Sequence, residues 1–168
     1  MKYFIIYTLV FINGLLTGYA QEDKYKALFM YKFIQNFEWP ASKNSGEYKV
    51  GVLGDNGIID QINTLTAGRM VNNKAIKAVN YSQQESLDDY AIVFIAASEK
   101  DKLSSLSDQS VSASTVLISE SPGSGKEGAF VNFIDSGGKL KFEMNLSRFD
   151  KAGINVAGSI KSLAVLVQ

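Results

Sequence analysis

Polar and apolar residues alternate with two different periods along this chain, and the changes of period divide it into elements. In QEDKYKALFMYKFIQNFEWP a charged opening turn is followed by apolar residues at helical spacing. Ala27, Met30, Tyr31 and Ile34 form one stripe; Phe29, Phe33 and Phe37 widen it. A helix apolar over so much of its circumference is mostly buried or keeps a face for a partner. Pro40 is expected to stop it. EYKVGVLG then reads as a strand over Tyr48–Leu53, and IIDQINTLTA as a helix with Asp55 or Asn56 as its N-cap. KAIKAVNY and LDDYAIVFIAA predict two further strands. The unbroken apolar run AIVFIA suits a central strand covered on both faces.

SEKDKLSSLSDQS predicts an amphipathic helix capped by Ser98, and STVLISE a fourth strand. AFVNFID and LKFEMNL both alternate and flank SGGK, which predicts an antiparallel hairpin. LSRFDKAG predicts a short helix ending at Gly153, with Asn145 as its cap. SIKSLAVLV predicts a closing buried helix capped by Ser159. Strands alternating with helices define an α/β class: a single-domain sandwich with a mixed, mainly parallel sheet flanked by helices and a terminal antiparallel hairpin.

The first residues, MKYFIIYTLVFINGLLTGYA, carry one basic residue, an apolar run and a small-residue end at Gly18-Tyr19-Ala20. That order predicts a signal peptide over 1–20, cleaved after Ala20, and a domain over 21–168 in the periplasm. The chain has 17 basic and 17 acidic residues; loss of Lys2 leaves it near −1. No concentrated basic stretch favours a nucleic-acid partner. The chain has neither cysteine nor histidine. No disulfide partner is therefore expected, Ser-His-Asp and Cys-His catalysis are excluded, and imidazole- or thiolate-bound metals are disfavoured. No cofactor is expected.

Two glycine segments test that expectation. GSGKEG fits G-x-G-x-x-G through Gly123, Gly125 and Gly128, but a strand rather than a helix is expected after it. Its Gly125-Lys126 pair also lacks the rest of a phosphate loop, since Glu127 stands where Ser or Thr is required. A flexible turn is the better reading. VGVLGDNGIIDQI lies between a strand and a helix, the right context for an anion site, yet its spacing is not the dinucleotide form. Gly54, Asp55 and Asn56 are ligand-cleft candidates on that ground. In LKFEMNL, Lys141, Glu143 and Asn145 share the polar face of a strand. Glu143 and Asn145 are further cleft candidates, with a cross-strand ion pair the plainer role for Glu143.

The segment YKALFMYKFIQNFEWP, with its Phe37-Glu38-Trp39-Pro40 end, resembles the YfiR-like (YfiR/HmsC-like) family of periplasmic regulatory proteins. VGVLGD, VFIAASE, GAFVNFIDSGGKLKFEMNL and AGINVAGSIKSLAVLV follow in family order, so the resemblance spans roughly Asp23–Val167. It implies regulation without catalysis: a soluble protein that binds the periplasmic part of an inner-membrane signalling protein, a diguanylate cyclase or sensor kinase, and so affects cyclic-di-GMP output and biofilm. Relatives carry cysteine pairs linked to redox response. This chain has none, so such control is excluded here.

Protein interfaces favour Trp, Tyr and Phe. Phe29, Tyr31, Phe33, Phe37 and Trp39 are therefore candidates for an interface with that partner or with a second copy in a homodimer, although Trp39 also suits the core. A small-ligand sensor or carrier using the cleft near Gly54–Gly57 is the alternative function. An enzyme working through Glu143, Asp55 or Ser119 is the remaining one.

Overall fold

A computed structural model describes residues 21–43 and 46–168, with the side chain of Asn56 excepted. The expected signal peptide over 1–20 lies outside the described residues. A helix, α1, covers 21–36, so the charged opening is helical rather than a turn. Strand β1 (Phe37–Glu38) follows, then β2 (Tyr48–Leu53), α2 (Asn56–Thr66), β3 (Met70–Val71), β4 (Lys74–Asn80) and β5 (Ile92–Ile95). The chain continues through α3 (Leu103–Ser112), β6 (Val116–Ser119), α4 (Ser124–Glu127), β7 (Val131–Asp135) and β8 (Leu140–Asn145). It ends in α5 (Leu146–Lys151), β9 (Asn155–Val156), α6 (Gly158–Lys161) and β10 (Val165–Val167).

Eight strands form one sheet in the order β10-β8-β7-β6-β5-β2-β4-β3. The inner pairings from β7 to β4 are parallel; β7–β8 is an antiparallel hairpin, and β3–β4 is antiparallel at the far edge. The expected class is therefore the observed one. Every residue of β5 and β6 is buried, as strands covered on both faces require. Right-handed crossovers put α2 and α3 on opposite faces, because β2 leads to β4 in one direction and β5 leads to β6 in the other. α1 crosses the sheet through an aromatic ladder: Phe33 lies 5.1 Å from Phe142 and 5.3 Å from Phe37, and Phe37 lies 4.9 Å from Phe149.

Several expectations are corrected. α1 ends at Asn36, before Pro40, because Phe37 and Glu38 leave the helix to pair antiparallel with Val156 and Asn155 of β9. The helix expected from Ser98 begins instead as a 3-10 segment, Ala97–Lys102, with no side-chain cap. The glycine segment contains one helical turn, α4, between β6 and β7. Gly125 is required there by closeness: a Cβ would lie 2.8 Å from Glu143 Oε2 and 3.1 Å from Val167 Cγ2. The closing segment is not a buried helix. Only one turn, α6, forms, with Ile160 buried beneath it. The β-branched Val165 and Val167 then enter a strand that pairs parallel with Glu143–Asn145 of β8. Ser159 caps nothing; its hydroxyl donates to Asn36 Oδ1 at 3.1 Å.

Candidate functional site

In open α/β sheets, ligands bind beyond the carboxyl ends of the strands where the strand order diverges. Here that point lies between β2 and β5, since the chain runs from β2 outward to β4 on one side and from β5 outward to β6 on the other. The expected cleft residues Gly54 and Asp55 do stand there. Asp55 caps α2, its Oδ1 accepting from Gly57 N at 2.9 Å and Ile58 N at 3.4 Å. Gly54 holds φ +92°, and a Cβ on it would lie 2.6 Å from Glu99 Cγ. Asn56 is the first residue of α2.

The crevice is not left for a ligand, because the first turns of α1 fill it. Lys26 is buried, and its Nζ pairs with Glu120 Oε2 at 2.5 Å and Glu22 Oε1 at 2.8 Å. Glu120 follows β6 directly, and its other oxygen accepts from Ala97 N at 2.9 Å. Burial works to lower the Lys26 pKa, but the hydrogen bonds it donates to Glu120 and Glu22 override this and hold the ammonium above its ordinary value. Asp23, one helical turn before Ala27, is raised by burial, then by Asp55, against the pull of Lys26.

Glu143 and Asn145 do not join this crevice. They lie on β8, which β7, β6 and β5 separate from β2. Among the described residues Glu143 has no ion-pair partner; it accepts from Asn132 Nδ2 at 2.9 Å. Asn145 occupies the cap position of α5 without a capping bond, because its Nδ2 is turned to Gly125 O at 3.2 Å. Asn145 thereby ties α4 to the sheet, while Glu143 links β8 to β7.

The aromatic interface candidates divide between core and surface. Phe33, Phe37 and Trp39 are buried, with Trp39 stacked between Phe37 at 5.8 Å and Tyr48 at 5.5 Å, so these three belong to the core rather than to an interface. Phe29 and Tyr31 are half-buried on opposite flanks of α1. Phe29 packs on Phe142 at 5.4 Å, whereas the Arg69 guanidinium lies over the Tyr31 ring at 5.5 Å. On the Phe29 flank Tyr25 (48% exposed) extends into solvent, and Leu28 (41%) does so on the outward face, one turn before Tyr31. An open groove of about 640 Å³ runs between Tyr25 and Phe29 of α1 and Asp135, Lys139 and Leu140 of the β7–β8 hairpin. Sequence reasoning found Phe29 but not Tyr25 or Leu28, which lie off the main apolar stripe.

Two lysines, one buried and one half-buried, also escaped it. Lys26 could have been seen, because it falls four residues before Met30 and seven before Phe33, a charge on an apolar stripe. Lys43 gave no such sign. Its Nζ donates to Leu87 O, Asp88 O, Tyr90 O and Thr115 Oγ1 at 2.7–3.0 Å. Burial pushes its pKa down to about 8, with Asp88 and Asp89 opposing. Among the described residues no group of three or more acidic side chains could hold a metal ion.

The mixed α/β sheet thus carries a buried ion pair beyond the carboxyl ends of its strands and exposed apolar side chains on α1. The YfiR/HmsC-like family model matches residues 23–165, and the chain belongs to that family. The family is one of periplasmic regulators of signalling and is not catalytic. Among solved structures, a conserved domain protein from Vibrio cholerae O1 biovar eltor shares the fold, with a TM-score of 0.60 at 8% identity. That match covers 87% of this chain and 60% of the other, so the present chain spans well under two thirds of that protein. No curated protein matches the chain. No helix among the described residues is long and apolar enough to cross a membrane.

Proposed function

We propose that this protein is a non-enzymatic periplasmic regulator that docks on the periplasmic part of an inner-membrane signalling protein, of the diguanylate cyclase or sensor kinase type, and modulates it by binding. The observation that carries this reading is the sealed crevice. Lys26 and Glu120 occupy the place where the fold would otherwise admit a substrate or metabolite, while Tyr25, Leu28 and half of Phe29 remain at the surface. The small-ligand alternative loses the site expected for it near Gly54–Gly57, since α1 covers that place. The docking surface comprises the accessible members of the early helix: Phe29 with Tyr25 on one flank, Tyr31 on the other, and Leu28 on the outward face between them, nearer Tyr31.

The test is affinity capture from detergent-solubilised inner membranes with the mature chain as bait. Recovery of a cyclase or sensor kinase is expected, together with an altered cyclic-di-GMP level or kinase output when the two are co-expressed. Capture that yields neither, under several salt and detergent conditions, contradicts the proposal.

A further inference from the structure

The two edges of the large sheet are finished differently. At one edge β3 is a two-residue strand turned back on β4 through Asn72 and Asn73, whose φ values of 49° and 61° suit a tight hairpin. At the other edge β10 and the residues just before it carry three large exposed apolar side chains: Leu163 is 63% exposed, Val165 45% and Leu166 56%. One side of β10 pairs with β8; among the described residues no strand lies beyond its outer side. A strand edge that offers unpaired N–H and C=O groups beside exposed aliphatic side chains is a template for a further strand.

The charge around that edge identifies what it accepts. Lys161 ends α6 four residues before Val165 opens β10, and it is exposed. Lys141 is exposed on β8, on the face shared by Glu143 and therefore by its partner Val165. Lys126 is exposed in α4 beside Gly125, the residue that meets Val167. Glu127 is exposed next to it, while Glu143 is engaged by Asn132. The edge is thus apolar with a basic border. Like charges disfavour two copies meeting edge to edge, and a lipid surface cannot satisfy the free backbone groups.

We propose that the outer edge of β10 docks an extended acidic segment of a partner protein, which adds to the sheet as a ninth strand next to Val165–Val167. Main-chain hydrogen bonds supply the affinity, apolar side chains on one face cover Leu166, and carboxylates on the face of Val165 and Val167 meet Lys126 and Lys141, with Lys161 beyond the start of the strand. The inference deepens the docking function proposed above and rests on it for the source of the strand.

The test uses two fluorescent peptides with blocked ends, one alternating Val and Glu and the other Val and Lys, added to the mature chain. The acidic peptide is expected to bind at least about tenfold more tightly at low ionic strength and to lose affinity as salt rises. Amide shifts should concentrate at Val165–Val167. The combined variant Lys126→Glu, Lys141→Glu, Lys161→Glu should reverse the preference, its fold checked by an unchanged melting curve. Equal binding of the two peptides, no binding, or shifts centred elsewhere overturns the proposal. So does co-sedimentation with anionic phospholipid vesicles, or self-association in the ultracentrifuge, that Leu163→Ser, Leu166→Ser abolishes while the acidic peptide does not compete. If membrane capture succeeds equally with the wild type and the triple Glu variant, the strand site falls and the regulatory function stands. If capture fails while the acidic peptide still seats on β10, the regulatory function falls and the strand site stands.

Discussion

Lys26 shows how one side chain can decide what a crevice does. Its ammonium is taken out of water and meets two carboxylates, one of which, Glu120, is itself mostly covered. A buried pair of this kind adds little beyond an apolar replacement of both partners, but removing one partner strands the other. Lys26→Met should therefore cost about 2–4 kcal/mol in chemical denaturation, and Glu120→Gln in the same chain should recover part of the loss. Asp23 works in the opposite direction. Its folded pKa is raised above 3.8, so the folded protein binds the proton more readily than the unfolded chain, and the charged form is a cost at neutral pH. That cost disappears as pH falls through the folded value. Asp23→Asn is expected to raise the melting temperature at pH 7 by about 1–2 °C, with the gap to wild type closing toward pH 4. A gap independent of pH would show that titration is not its cause. Lys43, with four acceptors around its Nζ, is a structural donor, but Leu87 O and Tyr90 O keep Thr115 Oγ1 as a donor, so Lys43→Met removes hydrogen bonds without orphaning them and should cost about 0.5–1.5 kcal/mol.

At the scale of elements, α1 carries the main question posed by the sequence, whether two apolar stripes mean core or interface. Both outcomes occur within one helix. Phe33 is fully buried between Phe37, Phe133 and Phe142, so Phe33→Ala should cost about 3–5 kcal/mol and lower stability before any effect on binding is measured. Tyr31 is half-buried under Arg69, and its hydroxyl accepts from Gln35 Nε2 at 3.1 Å. Tyr31→Glu places a carboxylate beside that guanidinium, and should weaken partner capture while shifting the melting temperature by only a few degrees. Unfolding of that variant, or capture at wild-type strength, removes Tyr31 from the docking surface. Periodicity made β2, α2, β4, β5, β6 and the β7–β8 hairpin legible, and the Asp55 cap with them. It could not show β1, β9 or β10. Two- and three-residue strands have no period to read, and their pairing depends on partners more than a hundred residues away for Phe37–Val156. The place of the cleft was legible, but not what lies in it, for a similar reason. Its strand-turn-helix context was visible, but the lysine that fills it arrives from a different element.

For the whole molecule, stability should fall from the middle of the sheet toward β10. β5 and β6 are buried at every residue and paired on both sides. β10 pairs on one side through three residues, two of them exposed, and Val167 is held chiefly against Gly125 and β8. Local opening of such an edge exposes little apolar surface, so it costs far less than global unfolding. Amides of Val93–Ile95 should exchange with solvent deuterium only through global unfolding, whereas those of Val165–Val167 should exchange orders of magnitude faster and with little dependence on denaturant. A chain ending at Ala164 should accordingly keep a single cooperative transition, its midpoint lowered by only a few degrees. If β10 instead exchanges with the core, or if the shortened chain loses cooperativity, the strand is an integral wall of the sheet. A wall locked in that way leaves the edge no freedom to adjust to an incoming strand, whereas an edge that opens locally can set its register to one.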